Sequence, residues 1–461
     1  MNDIKYYDLV KSQTGIKWIL LLSRHSQTAS VPLYMVVDRV LDMSLLCRAA
    51  ELEAARNDSM RLRFKKSLFN IKQYFVPHMT IADKIVTVDF TGKTEAEELE
   101  FLRRDAARPL DYKHGEVVRL IFYRTHDGKT GIYCNFFHMN SDAMGAVAMF
   151  CDLLSVYSAL AAGTEMPPPL ASFEEKIINE HELYKSKTYE HELEAARAAM
   201  KTFVTPFLAA PWGMDKLKAI RAKKHDESIY TYNTFNPFND ISENAVLNIG
   251  RELTKRLTEF CAEHSVSVQA VLHMGYRTYC SYKNERSATV CIDTVCDRRK
   301  TKSDKRMGGC IMSDFEYWLT LSEEESFTGA VTSINNIIKN TYRFSDVFSS
   351  EQTNIRKEFF SSSALSASMM MTYMPLSGVT AQGWKYRCGG VSTGYFTLPL
   401  YVFAIHNADE GDITSVYEYK TEYLTRENII EMHDAAVRVI AAGLEKPDIT
   451  VGELIDIAGA K

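Results

Sequence analysis

At 461 residues the chain exceeds the size at which one hydrophobic core stops growing, so two core-bearing halves are expected. With 46% hydrophobic and 25% charged residues its composition is that of an ordinary soluble globular protein, which excludes fibrous and disordered classes. A net charge of −5 with interspersed signs leaves no basic footprint for nucleic acid.

The N-terminus, Met1-Asn2-Asp3-Ile4-Lys5, does not read as a signal peptide, because its apolar stretch Trp18 to Leu22 is too short and an acidic residue precedes it. Ser30 to Val40 reads as a strand. Met43 to Asp58 has the helical spacing of apolar residues at Leu45, Leu46, Ala49, Leu52 and Ala55. Arg61 to Phe64 enters a strand with Phe69 to Val76 as its hairpin partner, Ala96 to Arg108 contains a short helix, and Val117 to Thr125 is a further strand. Helices interleaved with strands argue an α/β class with mixed sheets.

Thr130 to Phe137 is an aromatic-rich strand that stops at His138. Met139, Asn140 and Ser141 lead to Asp142, and a helical apolar pattern follows at once. This places an imidazole at the mouth of a strand and a carboxylate at the start of a helix, where it can accept backbone N–H groups or bind an arginine. Histidine suits proton transfer near neutrality, so His138 is the candidate general base. Residues 143–163 are nearly apolar over the length of a membrane span. Asp152 in their middle and the abundance of small residues favour a buried helix, and no membrane span is expected.

Around Pro167-Pro168-Pro169 the globular pattern breaks, and residues 173–227 read as a charged helical bridge. Glu180-His181-Glu182 and Glu190-His191-Glu192 within it lack metal-ligand spacing and are assigned to a solvated helix face. A second lobe, 228–461, follows. In it Ser242 to His264 and Val268 to Tyr282 read as amphipathic helices, Ala288 to Thr294, Val391 to Ile405 and Ile413 to Tyr419 as strands, and Arg426 to Leu444 as a helix. The nine cysteines are odd in number, scattered, mostly in apolar runs and without a Cys-x-x-Cys pair, so they are expected to be reduced residues of a cytoplasmic protein, with no metal site.

Several segments together resemble condensation domains of nonribosomal peptide synthetases, within the chloramphenicol acetyltransferase-like acyltransferases. Ala54 to Phe64 is similar to the family's "rH-x-x-LR-x-x-F" segment, and Leu110-Asp111-Tyr112 with Gly115 to Arg119 to its "pfdl…gpl-x-R". Phe137 to Ala143 resembles the HHxxxDG signature. Asp152 to Gly163, Asp297-Arg298-Arg299, Gly308-Gly309, Tyr417 to Leu424 and Lys446 to Leu454 fit later segments. Phe137 stands where the first histidine would be, and Ala143 where the signature has glycine.

The resemblance implies two acyltransferase-like lobes, 1–172 and 228–461, in a V with a central channel. It implies acyl transfer from a pantetheine thioester, on coenzyme A or a carrier protein, to a small-molecule amine or hydroxyl acceptor, with no bound cofactor. His138 would accept the nucleophile's proton, and Asp142 would point away and pair with Arg298 or Arg299. The backbone N–H groups of Ala143, Met144 and Gly145, and Ser or Thr hydroxyls of the second lobe, are candidate oxyanion donors. Thr372, Tyr373 and the serine-rich stretch Ser361 to Ser368 are candidate channel residues, a reading that weighs evenly against ordinary loop polarity. With no carrier segment or adenylation domain in the sequence, a free-standing enzyme is expected, its donor arriving in trans. Two alternatives are a coenzyme A-dependent acyltransferase of a small alcohol or amine and a catalytically silent carrier-protein docking module. Ala143 favours silence, while His138, Asp142 and the arginines argue against it.

Overall fold

The strand that delivers His138 is buried along its whole length, because it lies third of five in its sheet, hydrogen-bonded on both sides. The computed structural model describes residues 4–66, 70–200, 209–228, 239–347, 351–352, 354–355, 358, 367–407 and 411–460. Elements are numbered in chain order. The strands up to His138 are β1 (Tyr7–Asp8), β2 (Ser30–Val37), β3 (Leu62–Lys66), β4 (Ile71–Phe75), β5 (Val86–Asp89), β6 (Val118–Arg124) and β7 (Thr130–Phe137). The helices around them are α1 (Lys11–Leu22), α2 (Met43–Arg56), α3 (Asp58–Arg61), α4 (Glu95–Ala106), α5 (Ala143–Ala162) and α6 (Phe173–Leu183).

The chain divides into two compact units that are not contiguous stretches. The first comprises Met1–Thr188 and two later segments, Asp297–Met312 and Ser377–Tyr395. The second comprises Tyr189–Cys296, Ser313–Leu376 and Phe396–Lys461. This differs from the three consecutive regions expected from sequence, and residues 173–227 do not form a separate body: α6 packs in the first unit, and Met214–Lys224 lies in the second.

In the first unit β12 (Tyr386–Gly390), supplied by the later segment, pairs with β2, giving the order β12-β2-β7-β6-β5, while β1, β4 and β3 form a small second sheet. β7 runs antiparallel to β2 and β6, with Ser30 opposite Phe137 and Val118 opposite Phe136. α5 is long and apolar enough to cross a membrane by length and composition, yet it is mostly buried and packs against α2. Its one charge, Asp152, is met by Arg56 at 2.9 Å and Arg306 at 3.6 Å.

In the second unit a six-stranded mixed sheet has the order β10-β9-β11-β13-β14-β8, the strands being β8 (Ser242–Ile249), β9 (Thr289–Asp297), β10 (Met312–Thr320), β11 (Met369–Leu376), β13 (Leu400–Asn407) and β14 (Asp412–Lys420). Helices Val268–Lys283 and Arg426–Glu445 supply much of its core, with Leu272, Tyr276, Val439 and Ile440 fully buried. The helix expected over Ser242 to His264 is two elements. Residues Ser242 to Ile249 satisfy their backbone by full-length pairing with β14, and the helix starts at Arg251, after Gly250. The strand expected from Val391 begins only at Leu400, because Gly394 sits at a positive φ of 79° and Pro399 brings no donor to a ladder.

Candidate active site

His138 and Asp142 bracket a turn whose backbone is held from several elements. The Asn140 side chain donates to the carbonyls of Ser59 (2.7 Å) and Leu62 (3.0 Å), and Gln13 on α1 donates to the Met139 carbonyl at 2.9 Å. The His138 N–H donates to Ala29 at 2.8 Å, extending the ladder one residue beyond β7. From Gly131 to Asp142 every residue is buried except His138, which is half-buried. His138 is therefore the one residue of the turn that is not fully enclosed.

Phe137, in place of a first histidine, faces a different environment. Its ring stacks on Tyr112 with centroids 4.2 Å apart and meets Phe64 edge-on at 5.5 Å. That position is an aromatic packing position.

Asp142 caps α5. One carboxylate oxygen accepts the Gly145 N–H at 2.8 Å, and the other accepts the Ile311 N–H at 2.9 Å. Arg299 lies 3.0 Å from the carboxylate, with the Arg299 side chain 1% exposed, so this is a buried and fully bonded ion pair. The remaining Arg299 donors reach Asp297 (2.9 Å) and the carbonyls of Gly309 (3.0 Å) and Met307 (3.3 Å). Burial pulls the guanidinium pKa down, but the Asp142 and Asp297 charges outweigh it and hold it above its usual value. Asp142 is thus spent on structure; removing one partner of such a pair costs about 3–5 kcal/mol.

Of the two candidate arginines only Arg299 meets Asp142. Arg298 pairs with Glu180 at 2.8 Å, both side chains almost fully buried. This corrects the assignment of Glu180 to a solvated face: it is buried because Arg298 awaits it. Both arginines also pack in the first unit, carried by Asp297–Met312, although they lie in the C-terminal half of the sequence.

The oxyanion expectation is corrected at Gly145, whose N–H is occupied by Asp142. The amides of Ala143 and Met144, both half-buried, have no hydrogen bond among the described residues. Ala143 is not at positive φ, so no glycine is required there by backbone conformation. The close approach falls on Gly145 instead, where a Cβ would stand 2.5 Å from Ser141 Oγ and 3.0 Å from both Arg299 Nη2 and the Gly309 carbonyl. Gly309, at a φ of 98°, lies against Phe173, and a Cβ on it would fall 2.3 Å from that ring.

Thr372 and Tyr373 lie on β11 in the second unit. There the Thr372 hydroxyl accepts from Tyr401 at 2.7 Å, and the Tyr373 hydroxyl meets His406 at 2.8 Å. Of Ser361 to Ser368, residues 361–366 lie outside the described residues.

Burial lowers the His138 pKa, opposed by the carbonyls of His138 and Ser141 and by the Asp142 charge. The imidazole is accordingly neutral near pH 7, with a lone pair available. Sequence reasoning missed Gln13, Glu180 and Cys310, and gave Asp297 no role beyond its place in the segment Asp297-Arg298-Arg299. The only local signal was the Gly308-Gly309 pair, which marks where the chain passes closest to the turn.

Residues 4–195 match the family model of the Condensation domain. Over its full length the chain is 20% identical to surfactin synthase subunit 1 of Bacillus subtilis (strain 168), of which it spans 12%. It is similar in structure to the first condensation domain of the calcium-dependent antibiotic synthetase in complex with a substrate analogue, with a TM-score of 0.81, 16% identity, and coverage of 97% of this chain and 98% of that one. A starter condensation domain of rhizomide synthetase, in complex with C8-CoA, gives a TM-score of 0.79 at 14% identity, with 97% of each chain covered. The chain has the condensation-domain fold, a mixed α/β architecture.

Proposed function

We propose that this chain, condensation-domain in fold and matched by that family's model over residues 4–195, transfers an acyl group from a pantetheine thioester to an amine or hydroxyl acceptor. The observation that carries the reading is the half-buried His138, presented by a turn otherwise buried and clasped through Asp142 to Arg299. The thioester is carried on a carrier protein or coenzyme A; the rhizomide relative's complex with C8-CoA supports a coenzyme A arm.

The acceptor N–H or O–H points at Nε2 of His138, which takes the proton as the heteroatom attacks the thioester carbonyl. The C–S bond then breaks, and the proton returns from the imidazolium to the departing pantetheine thiolate. The Ala143 and Met144 amides, at the positive end of α5, are the donors proposed for the oxyanion.

Intact-mass analysis of acyl carrier proteins and acyl-coenzyme A thioesters, incubated with an amine and alcohol pool, tests the transfer. His138→Ala is expected to keep the fold and lose about 10²-fold or more in rate. A variant turning over near the wild-type rate removes His138 from the chemistry, and no transfer from any thioester leaves the docking-module reading.

A further inference from the structure

Behind the imidazole of His138 stands a sulfur atom. Cys310 Sγ lies 3.9 Å from Nδ1, on a side chain with no exposed surface. Its position is fixed from both sides. The Gly309 carbonyl before it accepts the Asp142 N–H at 3.3 Å and Arg299 Nη2 at 3.0 Å. The Ile311 N–H after it donates to Asp142 at 2.9 Å, and the Cys310 carbonyl accepts Ser12 Oγ at 2.7 Å. The clasp that anchors Asp142 therefore also holds the thiol beside the ring, 3.9 Å from Nδ1.

In a Ser-His-Asp triad the histidine nitrogen remote from the substrate donates to a carboxylate, which stabilises the imidazolium. Here the carboxylate is committed to Arg299, Ile311 and Gly145, and a thiol occupies the flank. Burial pushes that thiol's pKa well above the ordinary range, with the Asp142 charge adding to it, so it stays neutral. A neutral sulfur is only a weak acceptor.

We propose that Cys310 is a positioning residue: its sulfur receives the Nδ1–H of His138, leaving Nε2 unprotonated toward the reactants. This rests on the reading of His138 as the base and adds to it a sulfur contact that, together with the carbonyls of His138 and Ser141 bearing on the ring, sets the tautomer. No covalent step passes through Cys310. The charged groups around the ring are Asp142 and, bound to it, Arg299.

The test uses protein carrying ¹⁵N-labelled histidine, without substrate, so that nitrogen shifts read the tautomer and titration of His138 directly. Wild type is expected to hold its proton on Nδ1. In Cys310→Ser the hydroxyl is a better acceptor, which stabilises the imidazolium and moves the titration to higher pH. The acid limb of kcat/KM moves with it, so at about pH 6 the rate falls roughly three- to tenfold while the plateau changes less than about twofold. Cys310→Ala, which removes the sulfur with little change in volume, is expected to weaken the Nδ1 preference. Identical titration and tautomer in all three proteins overturn the proposal. So does an acyl group found on Cys310 of the wild type during turnover, which makes it a nucleophile. Because the spectra require no acyl transfer, they decide the Cys310 contact even where the His138→Ala assay removes the base assignment.

Discussion

A glycine two residues downstream of the signature position, not the alanine within it, carries the steric demand of this turn. Gly145→Ala pushes a methyl group into Ser141 Oγ, Arg299 and the Gly309 carbonyl, two of which are fixed by the Asp142 clasp. A loss of about 1–3 kcal/mol in stability is expected, with acyl transfer falling as the turn shifts. Ala143→Gly, at an ordinary helical φ, is expected to cost no more than about 1 kcal/mol, and any gain in rate or donor range reads thioester access alone. Thermal melts and donor-panel kinetics of the two variants check this; equal melting temperatures would show that the clasp absorbs a methyl group freely. His138 and Asp142 were legible because strand, turn and helix cap are local patterns. The partner of Asp142 was not, since Arg299 lies 157 residues away and nothing local separates it from Arg298. Cys310 carries no signal either: a single cysteine in an apolar run reads as a small hydrophobe.

Helix α5 works as an anchor rail, with Asp142 at its N-cap taking Arg299 and Asp152, about 15 Å along the axis, facing Arg306 from the same later segment. Asp152 also takes Arg56, whose guanidinium donates to the Pro167 and Pro168 carbonyls. Beside it Glu53 on α2 is fully buried, accepts from Asn57 at 3.0 Å, and has its pKa raised well above the carboxylate range by burial and by hydrogen bonding and repulsion from Asp152. A carboxyl whose folded pKa is raised contributes stability below its unfolded pKa and loses it as pH rises through the folded one. The melting temperature is therefore expected to decline from the ordinary carboxylate range toward alkaline pH. Glu53→Gln, which keeps the hydrogen bonds without a proton to lose, should flatten that decline and stand about 2–4 °C above wild type at the alkaline end. Parallel pH profiles for the two proteins would show that Glu53 does not titrate in the fold. At this scale the sequence was readable where a helix or strand is long and periodic, as in α2, β7 and Arg426–Glu445. It misled where a short apolar run fits two periods: Ser242 to Ile249 became an edge strand because β14 lay free to pair with it.

The two units are interleaved in sequence, which makes the first unit dependent on chain that comes long after it. Residues 1–188 hold His138 and Asp142 but lack β12, the edge strand beside β2, and the segment Asp297–Met312. Without that segment Asp142 loses Arg299 and the Ile311 N–H, Glu180 loses Arg298, and Asp152 loses Arg306. Two of these are buried charges left uncompensated, each costing several kcal/mol against a total domain stability of about 5–15 kcal/mol. A fragment ending at Thr188 is therefore expected not to melt cooperatively and to be cut rapidly by protease at low enzyme ratios. Supplying residues 297–312 and 377–395 through linkers on the same fragment should restore a cooperative transition, since every partner named above is then present. Circular dichroism melts and limited proteolysis of both fragments make the comparison. A cooperative melt of 1–188 alone would mean that the clasp orients His138 without holding the unit together, and that the later segments act on the site and not on the fold.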